Sequence, residues 1–129
     1  MGYVTQRVNY QAARNVESCY PDVSANAVAD DICTAAEYLH NQTFVKKGAI
    51  DILAWSYGAA GALRALRSSP SRESAKVDAV VTYYPSCDWA RKWDSNVPVL
   101  VLVGSTDNVA PYKKCEWLLS YVPNKDKIS

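Results

Sequence analysis

The sequence predicts an α/β fold with a mostly parallel central sheet. Three observations lead there. Short apolar runs rich in β-branched residues, at 49–55, 77–84 and 97–103, read as strands. Around them, 24–40, 59–67 and 111–122 carry apolar residues at helical spacing. The order is helix, strand, helix, strand, strand, helix, and such alternation builds parallel sheets through crossover connections.

Each element has its own signals. Residues 1–21 show no sustained period and read as a long loop closed by Pro21, an irregular start that expects an anchor upstream. Ser24 stands where it can cap the first helix, along which Val28, Ile32, Ala35, Ala36 and Leu39 recur. Asp30 and Asp31 fall toward its polar side, and His40 closes it, where the helix dipole favours a partly positive imidazole. The run from Ala49 to Trp55 follows Gly48 and reads as a buried strand. Directly after Ser56-Tyr57-Gly58 comes a helix through Arg67, ended by Ser68-Ser69-Pro70. The strand from Val77 to Tyr84 stops at Pro85. The strand from Val97 to Val103 stops at Gly104, and its nearly unbroken apolar character predicts cover on both faces. Cys115, Leu118, Leu119 and Val122 share one side of the last helix, and Lys127-Ile128-Ser129 read as the start of a further strand. Three strands leave edges that the patterning does not expect. Residues 1–129 therefore read as one partial domain, the middle of a larger one.

Composition narrows the function. The chain is 49% hydrophobic and 21% charged, which is ordinary for a globular protein. Its net charge of +1 gives no broad field to attract nucleic acid or an anionic membrane surface. Lys46-Lys47 and Lys113-Lys114 read as solvated faces. No apolar run approaches the roughly 20 residues of a membrane helix. The first residues lack the regions of a signal peptide, so the cytoplasm is only a default expectation. One histidine and four cysteines without a C-x-x-C pair make a metal site unexpected.

The chemistry centres on Ala54-Trp55-Ser56-Tyr57-Gly58, which joins a strand to a helix with no loop between. Such a junction demands a sharp turn that thrusts the Ser56 hydroxyl out at the carboxyl edge of the sheet. Gly58 is expected to supply the close approach the turn needs, and Ala54 the small residue on its other side. The backbone N–H of Tyr57 then becomes the natural oxyanion donor. The competing explanation is a serine that merely caps the helix. Asp107, after Gly104-Ser105-Thr106, falls on the same edge, where open α/β sheets gather functional groups. A local turn aspartate is the plainer alternative. Trp55, Tyr84, Trp89 and Trp93 fall near that edge too. Trp55 is expected in the core, whereas Tyr84, Trp89 and Trp93 are candidates to line an acyl pocket.

Three stretches, from Ile52 to Gly58, from Val80 to Cys87, and from Pro98 to Asp107 with Pro111 beyond, resemble the dienelactone hydrolase family of α/β-hydrolases. Asp30-Asp31-Ile32 with Ala35-Ala36 and Tyr38-Leu39 also resembles the helix that precedes that family's nucleophile. The resemblance spans about 28 to 122 and implies a partial α/β-hydrolase fold in three layers. It implies Ser56 as nucleophile, Tyr57 as oxyanion donor and Asp107 as the acid that orients a histidine. It implies a small ester-like substrate and no cofactor. Serine stands where the name-giving enzymes use cysteine, which favours ester hydrolysis. Ala54 replaces the first glycine of the elbow. The family's histidine falls after the next strand, beyond Ser129; His40 precedes Ser56, the wrong order for this architecture. The chain alone is therefore expected to be inactive. The resemblance also pairs Cys87 with Cys115, which from the residues alone serve equally well as two buried thiols. Two other readings stand beside the hydrolase: an inactive fragment, or a flavodoxin-like module binding a small molecule at the same edge. Exposed sheet edges would permit self-association.

Overall fold

The computed structural model describes residues 2–17, 22–48, 50–67, 76–88 and 95–120. After a short 3₁₀ turn, Ala12–Arg14, the elements are α1 (Ala25–His40), β1 (Asp51–Trp55), α2 (Ser56–Ala65), β2 (Ala79–Tyr83), β3 (Val99–Leu102) and α3 (Tyr112–Ser120). The three strands form one sheet in the order β1-β2-β3, and both pairings are parallel. The coarse class is thus α/β with a parallel sheet. The strand expected at 127–129 lies outside the described residues.

Ser24 caps α1 by accepting a hydrogen bond from the Ala27 N–H at 3.2 Å. Val28, Ala29, Ile32, Cys33 and Ala36 then form its buried stripe. α2 is nearly all small residues, and Ala59, Ala60, Gly61 and Ala62 are all buried. That smoothness lets α1 approach closely. A Cβ placed on Gly61 would fall 2.8 Å from Val28 Cβ, so glycine is required where the two helices cross. A Cβ on Gly58 meets nothing within 4 Å. The close approach expected of Gly58 therefore belongs to Gly61, one helical turn further on. Arg64 Nη1 donates to Asn26 Oδ1 at 2.9 Å and ties the same two helices.

Strand alternation gives the sheet two faces. On one, Ile52 aligns with Val80 and Val99, and Ala54 with Thr82 and Val101. These residues join α1, α2 and α3 in a single core that includes Leu63 and Leu118. Thr82 is fully buried, with its hydroxyl 3.4 Å from the Leu100 carbonyl oxygen. On the other face, Leu53 aligns with Val81 and Leu100, and Trp55 with Tyr83 and Leu102. Leu53 is 61% exposed and Trp55 55%. Among the described residues the strands are thus covered on one face only, and Trp55 lies outside the core: every described helix that joins the core packs on one side. The three-layer arrangement reduces, among the described residues, to a sheet with helices on one face.

Candidate active site at the carboxyl edge

Ser56 begins α2 with no residue between it and β1. Its φ is 53°, in the left-handed region, while Trp55 before it is extended at φ −142°. A left-handed serine costs roughly 1–2 kcal/mol. The strain follows from the chain path, because a strand running straight into a helix must reverse direction within one residue. A capping serine has extended backbone and accepts from an N–H two or three residues on. Here the cap position is held by Trp55 and no side chain caps the helix. Ser56 is exposed at the strand exit, with its side chain free of that duty.

Tyr57 is anchored by its side chain, and its backbone N–H lies in the first turn of α2. Its hydroxyl donates to the Val23 carbonyl oxygen at 2.6 Å, which pins α2 to the entry of α1. Its ring meets Tyr10 with centroids 6.2 Å apart. Tyr10 belongs to the irregular N-terminal segment, whose role the sequence does not announce. That segment is anchored within the chain itself: Arg14 makes a two-pronged ion pair with Asp31 of α1, at 2.6 and 3.0 Å, and also donates to the Tyr10 carbonyl oxygen. Residues 10–14 are thus held against α1 and α2 by contacts within the chain. Burial, and then the nearby Tyr57, raise the Tyr10 pKa above its usual 10.0. A raised phenol pKa favours the neutral ring in the folded state, so its stabilising contribution is complete below pH 10 and is lost as pH rises through the higher folded value. Alkaline melts from pH 9 to 12 should show stability falling, and Tyr10→Phe should flatten the top of that profile.

The next strand exit is also strained. Tyr84 follows Tyr83, the register partner of Trp55, so Tyr84 and Ser56 leave adjacent strands at the same level. Tyr84 has φ 37° and donates its N–H to the Leu102 carbonyl oxygen at 2.7 Å. Its side chain is exposed. Trp89 and Trp93, the other two candidates for pocket walls, lie outside the described residues.

Asp107 lies in the loop after β3, on the same edge. One carboxylate oxygen, Oδ1, accepts from the N–H groups of Val109 at 2.8 Å and Ala110 at 2.9 Å. These bonds make Asp107 a turn-forming residue, and they also fix its orientation while leaving Oδ2 unused among the described residues. β1 and β3 flank β2, so the Ser56 and Asp107 strand exits stand about 9–10 Å apart across the sheet.

Cys87 and Cys115 form a disulfide, Cα to Cα 5.1 Å, and both are buried. It joins the exit of β2 to α3, and the Lys114–Asp88 ion pair at 2.6 Å parallels it on the surface. His40 stands elsewhere. Its Nε2 lies 3.3 Å from the carbonyl oxygen of Lys76, just before β2. Nearby, Asp78 N–H donates to Ile50 at the entry of β1. That is the amino edge of the sheet, opposite Ser56. A hollow of about 170 Å³ on α1, lined by Asp30, Cys33, Thr34 and Glu37, includes none of the expected site residues. No group of three or more metal-binding side chains occurs among the described residues. No described helix is long and apolar enough to cross a membrane.

No protein-family model matches the chain, and no curated protein matches its sequence. The case for a function therefore rests on the geometry above and on the sequence resemblance.

Proposed function

We propose that the carboxyl edge of the sheet is the acyl-transfer centre of a serine hydrolase of the dienelactone hydrolase type, acting on small carboxylic esters. The observation that carries this reading is the left-handed Ser56 at a strand–helix junction without a loop. Strain at a residue that does no capping favours a functional reason for keeping serine there.

In this reading Ser56 Oγ attacks the ester carbonyl and gives its proton to a base. The carbonyl oxygen becomes an oxyanion, held by the Tyr57 N–H at the positive end of α2. The tetrahedral intermediate collapses, the alcohol leaves with the proton, and an acyl-Ser56 ester remains. Water then attacks that ester through the same steps and releases the acid. Asp107 Oδ2 faces the task of orienting the base. The gap between the two strand exits suits an imidazole with a hydrogen bond on each side. The one histidine of the sequence is His40, on the opposite edge. The base must therefore come from outside these residues, and turnover by this chain alone should be near background.

Added imidazole supplies that base in a test. With p-nitrophenyl acetate, the wild-type chain in imidazole buffer should release nitrophenol faster than Ser56→Ala under the same conditions, and a burst of one acetyl group per chain should label Ser56. Equal rates in the two proteins, with no label on Ser56, would remove the hydrolase reading. Ser56→Gly should lose the label and gain about 1 kcal/mol of stability, because glycine relieves the left-handed strain. Flavin binding that survives Ser56→Ala would instead favour the flavodoxin-like module.

A further inference from the structure

We infer that the bare face of the sheet is the interface of a symmetric dimer, in which two copies of this chain stack face to face. The inference is independent of what Ser56 does. Parallel sheets are stable when both faces are covered, and here one face has no helix from the described residues over it. Two of its rows, Leu53-Val81-Leu100 and Trp55-Tyr83-Leu102, contain no charged side chain, and the third, Asp51-Ala79, places one carboxylate at its amino end.

The area matches a second copy. Leu53 and Trp55 are joined by Tyr83 at 41%, Leu100 at 37% and Leu102 at 38% exposure. Taking an aromatic side chain at about 200 Å², the five leave roughly 450 Å² of mainly apolar surface open to water. A standard dimer takes about 800 Å² from each partner, about two-thirds of it apolar in homodimers, or about 520 Å². The face supplies most of that requirement by itself, with Val81 at its centre and Asp51 and Tyr84 at its margin. A net charge of +1 sets almost no repulsion between copies.

Geometry favours self-stacking as well. Sheets pack face to face at about 10 Å with strands nearly aligned. A twofold axis lying between the sheets places the central strand β2 of one copy over β2 of the other. With the strands antiparallel, the aliphatic row of each copy meets the aromatic row of its partner, so large side chains face smaller ones. The axis then passes between the two rows, and Val81 of each copy faces Tyr83 of its partner. Pairing through strand edges differs in kind. β1 and β3 are both edges, and joining one to another leaves two more free, so growth would not close.

Sedimentation velocity across a range of concentrations tests this. The wild-type chain should sediment as a species of about 28 kDa, twice its 14.2 kDa. Leu53→Lys combined with Leu100→Lys should sediment as a monomer with an unchanged far-ultraviolet spectrum. Both leucines are exposed in the single chain, so the change leaves its fold alone. A wild-type monomer at every concentration overturns the inference. So does a dimer that survives both lysines, or an assembly that grows beyond two copies.

Discussion

Replacing Cys87 and Cys115 together by alanine should lower the melting temperature by roughly 13 °C. The bond closes a loop with a sequence separation of 28. Loop-closure entropy for that length contributes about 3.5 kcal/mol, by restricting the unfolded chain. Unfolding entropy of about 2.1 cal/mol/K per residue converts this into the stated shift. Melts followed by circular dichroism, in the variant and in the wild type with a dithiol reductant, should agree to within a few degrees. Alkylation of the unreduced, unfolded protein should leave these two sulfurs unlabelled. The same melting temperature with and without reductant would mean that the bond is not formed. The effect reaches the candidate site, because the bond holds α3 and α3 follows directly on the Asp107 turn. Both sulfurs lie 3.8 Å from the Pro85 carbonyl oxygen, beside the strained Tyr84. One covalent link therefore braces two of the three strand exits on the carboxyl edge.

The glycines of α2 should respond in opposite directions. Gly61→Ala drives a methyl group into Val28 at the helix crossing and should cost about 1–3 kcal/mol, the usual range for overpacking. Gly58→Ala has open space around the new methyl and no left-handed backbone. It should gain about 0.5–1 kcal/mol from helix propensity. Urea titrations of the two variants would thus separate by about 1.5–4 kcal/mol. If Gly58→Ala proved the damaging one, the junction after Ser56 would be tighter than its surroundings indicate.

Those glycines also mark what the sequence could and could not reveal. The elements themselves were legible. Alternation and helical spacing are properties of one segment, and α1, β1, β2, β3 and α3 fall within the predicted ranges, while α2 starts three residues before its range, at Ser56 itself. The turn at Ser56 was legible for a related reason, since strand and helix abut there. What two segments do to each other was not legible. Gly58 and Gly61 are equivalent letters until the crossing point of α1 and α2 is known. Leu100 and Leu102 match Val99 and Val101 in character, yet one pair is exposed and the other faces the core. Apolarity records that a strand expects cover and is silent on where the cover comes from. Trp55 misled for that reason. Arg14 and Asp31 are seventeen residues apart and belong to no shared period, so the docking of the N-terminal segment was equally out of reach. The fixed Asp107 and the strained Tyr84 come from loop geometry, which propensities do not encode.

The strand order has a consequence for how the molecule is made. Spatial order and chain order coincide, β1-β2-β3. As the chain leaves the ribosome, α1, β1 and α2 emerge first and can assemble, because the Val28–Gly61 crossing joins elements already synthesised. Among the described strands, β2 and then β3 each meet an edge already in place. Cys87 emerges before Cys115, and the partner strands that align them are in place by then. Folding that proceeds in the direction of synthesis keeps the interval short during which an unpaired apolar strand is open to other chains.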